Sequence, residues 1–102
     1  MRRAAKVDDN QKEIVAIVRS MGCSVQHLHM VGKGCPDLLI GVNGKNLVWE
    51  LKDGSKPPSQ QKLTTDEELW HLQWSGSVQV VNSIDQAINI IKEESRYDNR
   101  RA

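Results

Sequence analysis

Two carboxylates and an ammonium occur at a spacing that suits phosphodiester chemistry: Asp37, directly after Pro36, and then Glu50 and Lys52. Between them lie two apolar, strand-like runs, Leu38–Val42 and Leu47–Lys52, separated by Asn43-Gly44-Lys45-Asn46. An Asn-Gly pair between such runs signals a hairpin, because both residues tolerate positive φ. If Asn43-Gly44 is a two-residue turn, Val42 pairs with Lys45 and Asp37 falls directly opposite Glu50. A four-residue turn would set Asp37 opposite Lys52 and still leave both acids on one face; only an odd-length loop without a bulge would part them. Opposed side chains lie roughly 4.5–5.5 Å apart at Cβ, where like charges destabilise the ladder. A cation between them removes that repulsion. Converging oxygen ligands suit a hard ion, Mg²⁺ or Mn²⁺. Such an ion polarises a phosphate and acidifies a bound water. Lys52 would orient the water or offset charge on the pentacovalent phosphate.

The hairpin must also bury its other face. Val48, Glu50 and Lys52 share one side of the second strand, and Leu47, Trp49 and Leu51 the other, which is the core side. A Glu-x-Lys triplet alone is common on solvent-facing strands. Asp37 on the same hairpin face is what turns it into a constellation. Lys33, between Gly32 and Gly34, sits in a loop whose backbone can approach a phosphate while the lysine adds charge. Lys56 and Lys62 flank the Pro57-Pro58 loop beside the same face and are further candidates for DNA contact. His27, His29 and His71 lack the partners a zinc site needs and read as polar surface. Trp70 and Trp74, at i and i+4 of a helix, form a stripe expected to pack inward.

The elements that position these residues are legible in outline. Asp8 or Asp9 can cap a helix running to about Met21, with Ile14, Ile17, Val18 and Met21 at helical spacing and Gly22 as its stop. Ser24–Val31 reads as a first strand, followed by the Gly32-Lys33-Gly34 loop. Thr64 to Glu67 forms a capping box, opening a helix to about Trp74. Val78–Val81 is a short strand. Ser83 to Gln86 forms a second capping box, opening a helix with Ala87, Ile88, Ile90 and Ile91. From Ser95 the chain is polar, and the helix is expected to fray there. The order α-β-β-β-α-β-α predicts an α/β fold, with a mixed sheet and helices on its faces.

Composition sets the outer limits. The 102 residues fit one domain, with its core over about residues 8–94 and polar tails at both ends. Phe is absent and the formal charge is only +1, so affinity for nucleic acid must come from local clusters rather than a globally basic surface. Such clusters stand at Arg2, Arg3 and Lys6, at Lys52, Lys56 and Lys62, and at Arg96, Arg100 and Arg101. No apolar run reaches the ~20 residues that cross a bilayer, and MRRAAKVDDN has no apolar stretch of the secretory kind. Cys23 and Cys35, in no CxxC pattern, read as buried free thiols of a cytoplasmic protein.

Gly34-Cys35-Pro36-Asp37 followed by Glu50-Leu51-Lys52 is similar to the PD-(D/E)xK nuclease superfamily. The longer run through GKGCPDLLIG, WELKDG and VQVVNSIDQAINII resembles the VRR-NUC family, virus-type replication-repair nucleases whose stand-alone members are mostly small bacteriophage and bacterial proteins. The resemblance spans roughly residues 8–92. It implies an αβββαβ restriction-endonuclease-like core with a C-terminal helix, and a Mg²⁺- or Mn²⁺-dependent endonuclease in a bacterial or phage-infected cell. Asp37 and Glu50 would be metal ligands, the Leu51 backbone carbonyl a further ligand, and Lys52 the catalytic lysine. Glu13, on the first helix, matches an additional acidic position that reaches the metal directly or through water. Where the family usually has Gln early in the helix after the hairpin, this chain has Glu67, followed by Trp70 at the aromatic position. Glu67 departs from the pattern and is equally suited to its capping box. Gln60 and Gln61, before Thr64, match that position poorly. The family's kinship with Holliday-junction resolvases points to branched DNA and to a homodimer, since two symmetric cuts need two sites in fixed relation. The last helix, with Ile84, Ala87, Ile88 and Ile91, could line that interface or belong to the core. The competing reading is a catalytically silent nucleic-acid-binding module on the same fold.

Overall fold

The computed structural model describes residues 10–99, with side chains to residue 96. Helix α1 spans Gln11–Ser20, strands β1, β2 and β3 span Ser24–His27, Leu38–Val42 and Lys45–Leu51, and α2 spans Thr65–Gln73. Strand β4, Gln79–Val81, and helix α3, Ile84–Asn99, complete the order expected from the sequence. A short 3-10 turn at Pro58–Gln60 lies in the loop before α2. The sheet runs β1-β2-β3-β4, antiparallel except for the parallel β3–β4 pair, which gives the mixed α/β architecture.

The hairpin turn has two residues: Val42 pairs with Lys45, and Asn43 and Gly44 take φ of 52° and 79°. These positive values match the twist of the flanking strands. The apolar alternation comes out as expected. Leu38, Ile40, Trp49 and Leu51 are fully buried and pack with Ile14 and Val18 of α1 and with Ala87 and Ile91 of α3. The indole N–H of Trp49 donates to Gln79 Oε1 at 2.9 Å, so this large core side chain leaves no donor unpaired. Ala87 and Ile91 of α3 belong to this core and Ile84 and Ile90 pack against it, while Ile88 stays half-exposed.

Several expectations are corrected. The caps proposed at Asp8 or Asp9 lie outside the described residues, as do the basic clusters at both ends apart from Arg96. Asn10 stands at the N-cap of α1 without a side-chain cap bond; its amide reaches the Lys52 carbonyl at 3.2 Å instead. Strand β1 ends at His27, because Leu28 to Val31 closes a turn. Helix α3 continues through the polar stretch to Asn99. Its capping box is only half made: Ser83 Oγ accepts from the Gln86 amide, whereas Gln86 Oε1 takes the Asn82 N–H. Trp70 and Trp74 do not enter the core. They stack on each other at 4.6 Å, and none of the α2 side chains is buried.

Gly34 and Gly44 share nearly the same φ, 80° and 79°, but differ in their surroundings. A Cβ at Gly44 meets nothing within 4 Å, whereas one at Gly34 would lie 2.2 Å from the Asp66 carbonyl oxygen. Gly44→Ala should therefore cost about 1 kcal/mol, the backbone penalty alone. Gly34→Ala should cost at least about twice that, because backbone must move. Equal losses in urea denaturation of the two variants would remove the proposed close approach of this loop to α2.

Candidate active site

The residues that could act are held by backbone before side chains are considered. Asp37 is fastened on both sides: its carbonyl accepts from the Leu28 amide at 2.8 Å, and its N–H donates to the Trp49 carbonyl at 3.0 Å. Pro36, fully buried, has no N–H to lose at this step. The Leu51 amide then donates to Asp37 Oδ2 at 2.7 Å, fixing one carboxylate oxygen. The β2–β3 register, which pairs Leu38 with Trp49, carries Asp37 opposite Glu50 one step on. On the far side, the Lys52 amide donates to the Val81 carbonyl at 3.0 Å, so β4 closes the strand that carries Glu50 and Lys52.

Glu50 is 2% exposed and Lys52 9%, so neither is an ordinary solvent-facing strand residue. The Lys52 Nζ lies 2.9 Å from Glu67 Oε1 and 3.9 Å from Glu50 Oε2. Glu50 Oε1 is buried and has no hydrogen-bond partner. Burial, followed by the nearby charges of Asp37 and Glu67, pushes the Glu50 carboxyl up to about 9. Burial also raises Asp37, against its hydrogen bonds with the Leu51 amide and with Glu50 and against the Lys52 charge. Glu67 moves the other way. Burial opposes its ionisation, but the Thr64 amide and the hydrogen bond and charge of Lys52 outweigh it, leaving it below the usual carboxylate range.

These groups line an open cleft of about 420 Å³ together with Lys33, Gly34 and the first turn of α2. Gly32, Lys33 and Gly34 all have positive φ, and the coil they make brings the loop against the Asp66–Glu67 peptide. Among the described residues no three His, Cys, Asp or Glu side chains are grouped to hold a metal ion. A cation here would use the two carboxylates and complete its shell with backbone carbonyl or water oxygens, as Mg²⁺ commonly does. The orphaned oxygen of buried Glu50 and the closeness of half-buried Asp37 fit such an ion.

The structure gathers Asp37, Glu50, Lys52 and Glu67 at the cleft and places exposed Lys33 at its rim. Leu51 contributes its amide to Asp37, as above. Glu13 is exposed on α1 and does not line the cleft. Lys56 and Lys62 lie beyond it in the loop before α2. Gln61 ties that loop together, donating to the Lys56 carbonyl at 2.7 Å. Glu67 completes its capping box, with Oε1 accepting from the Thr64 N–H at 2.9 Å, and the same oxygen also accepts from Lys52 at 2.9 Å. His29 and Cys35 also line the cleft. His29 follows the end of β1, where strand alternation no longer says which way a side chain faces. Cys35 is half-buried; burial and then the charges of Glu50 and Asp37 raise its thiol, so it stays protonated.

No protein-family model, curated protein or solved structure matches this chain. The geometry therefore stands on its own.

Between pH 4.5, the ordinary Glu value, and about 9, the folded chain holds a proton on Glu50 that the unfolded chain releases. Raising the pH through that window therefore favours unfolding, by up to about 1.4 kcal/mol per pH unit. The raised Asp37 acts in the same direction. In chelator, the melting temperature should fall as pH rises from 5 toward 9, and Glu50→Gln should flatten the fall and melt no lower than wild type at pH 8. A less stable Glu50→Gln would mean that Glu50 serves as a structural ion-pair partner of Lys52.

Proposed function

We propose that this chain is a divalent-cation-dependent endonuclease of VRR-NUC type that hydrolyses phosphodiester bonds in DNA. One observation carries the reading: Asp37 and Glu50 are opposed, with a partnerless Glu50 oxygen and the Lys52 ammonium beside it, at the wall of an open cleft. Setting a half-buried acid against a buried one gains a folding domain nothing, whereas a cation site uses that arrangement.

Asp37 Oδ1 and Glu50 would hold Mg²⁺ or Mn²⁺, with the Leu51 carbonyl as a backbone ligand. When bound, the ion would polarise the scissile phosphate and acidify a water. Asp37 Oδ2 is kept for the Leu51 amide, so the ligand oxygen is held in one orientation. Lys52 would offset charge that develops on the phosphate, from a site dry enough for that charge to count. Lys33 would meet a backbone phosphate at the rim. Glu13 has no part in this arrangement, and Lys56 and Lys62 would touch only DNA that extends past the cleft.

The preferred substrate under this reading is branched DNA, cut by a homodimer in the cytoplasm of a bacterial or phage-infected cell. No described helix is long and apolar enough to cross a membrane. Ala87 and Ile91 belong to the core, so α3 could offer a dimer only its half-exposed residues such as Ile88.

Lys52→Ala should lower the metal-dependent nicking rate of supercoiled plasmid about 100-fold or more, the scale of losing one charge-stabilising group. DNA binding in Ca²⁺ should persist. Undiminished cleavage by a purified variant, free of contaminating nuclease, would refute the assignment. Wild-type protein that binds DNA but never cuts, in Mg²⁺ or Mn²⁺, would instead identify a binding module. Light scattering should give twice the chain mass; a monomer that persists with junction DNA bound would exclude the dimer.

A further inference from the structure

The active cleft is lined by Asp37, Glu50, Asp66 and Glu67 against Lys33 and Lys52, and the whole chain carries only +1, so the cleft holds a polyanion poorly by itself. A second hollow of about 420 Å³ lies between α1 and the end of β1. His29 lines both, so the two adjoin. The second hollow has the opposite electrostatics. Lys12, Arg19, His27 and His29 surround it, and among the described residues no carboxylate lines it. A basic concavity beside the cleft is the local charge that binding a phosphate backbone requires.

Resting on the nuclease reading, we propose that this hollow is a DNA subsite, which takes a nucleotide of the strand as it leaves the active cleft, with phosphates on Lys12 and Arg19. Lys12, Ala16 and Arg19 fall at i, i+4 and i+7 and so share one face of α1. The helical rise carries Arg19 about 10 Å from Lys12 along the axis, roughly the span of three steps of a DNA strand. The pair is therefore set to meet two phosphates rather than one. Arg19 Nη2 donates to the Val25 carbonyl at 3.3 Å, which lays the guanidinium along the edge strand through one of its five N–H donors. Buried Gln11 fixes His27, with its amide nitrogen 3.1 Å from Nδ1. With the amide donating, Nδ1 accepts and the neutral ring keeps its proton on Nε2, as a donor for a phosphate oxygen. Val15 and Ala16 line the same hollow and give a sugar or base an apolar surface to rest on. Its volume is that of a small-molecule site, well beyond what a phosphate alone would fill.

The test is DNA binding by fluorescence anisotropy across a salt series, with Ca²⁺ in place of the cleaving ion and a labelled duplex as the probe. The double variant Lys12→Ala, Arg19→Ala, its fold checked by circular dichroism, should show a shallower dependence of log affinity on log salt. The slope should fall in magnitude by about 1.4–1.8, two phosphate contacts at about 0.7–0.9 each. For equal affinity at about 1 M salt, that is roughly 25- to 60-fold weaker binding at about 0.1 M. Lys92→Ala removes a charge from an exposed position on α3 that lines neither hollow, and should bind within about twofold of wild type. Should the double variant not fold, Lys12→Ala alone replaces it, with a slope lower by about 0.7–0.9. An unchanged slope would overturn the subsite alone, since metal-dependent cleavage tests the nuclease reading separately. The same loss of slope per charge in Lys92→Ala would also overturn it, by showing that only overall charge matters. Wild-type protein with no affinity for DNA would overturn the nuclease reading and this proposal together.

Discussion

The arrangement depends on one constraint, the burial of Glu50 across from Asp37. A carboxylate out of water must be paired, protonated or bound to a cation. Here the Lys52 ammonium is nearest to a third acid, Glu67, and only 3.9 Å from Glu50. With three acids around one lysine, full ionisation leaves an uncompensated negative charge in a half-closed site. The raised Glu50 and Asp37 express that imbalance. A proton relieves it in the free protein, and a divalent cation would relieve it more completely.

Such an imbalance persists only where the rest of the fold over-determines it. The Asn43-Gly44 turn fixes the hairpin register, and Leu38, Ile40, Trp49 and Leu51 lock it by occupying the core face. Slipping by one residue would send Trp49 to the solvent side and Glu50 into the core, so the register has no cheap alternative. Burying each of these large apolar side chains contributes about 1.5–3 kcal/mol. Together the four exceed the roughly 3.4 kcal/mol that a proton on an ordinary Glu costs at neutral pH. The core therefore tolerates the cleft, and the charge conflict is confined to the face away from α1 and α3.

What the sequence disclosed, it disclosed through local rules. The hairpin was legible because Asn-Gly has few other uses between two apolar runs, and that turn alone placed Asp37 against Glu50. The Thr64–Glu67 box was legible for the same reason, since both of its bonds lie within one helical turn. What stayed hidden depends on distant residues. Nothing in Glu67 or its neighbours says that Lys52 will reach it, because that ion pair forms only after β3 and α2 have been brought together. Glu13 could not be excluded by spacing, because a helix can rotate any residue toward or away from a site until its core face is fixed. With Ile14, Val15 and Val18 taking that face, Glu13 was left outside. Trp70 and Trp74 misled because an i, i+4 aromatic pair can satisfy its apolar surface by stacking on itself.

Helix α2 shows how closely the site and the fold are joined. It has nine residues, none of them buried, and it leaves Leu69 and Leu72 exposed. A helix that short is marginal in water on its own. What holds it is its first turn: the Thr64–Glu67 box, the approach of Gly34 to its Asp66–Glu67 peptide, and the bond from Lys52 to Glu67. Each of these contacts also borders the cleft. The groups that define the site are thus the ones that order the helix, and the site wall cannot form without α2 or α2 without the site wall. With no buried side chain and an exposed apolar face, α2 sits at the low-stability end of the fold, tied to the cleft by the bond from Lys52 to Glu67.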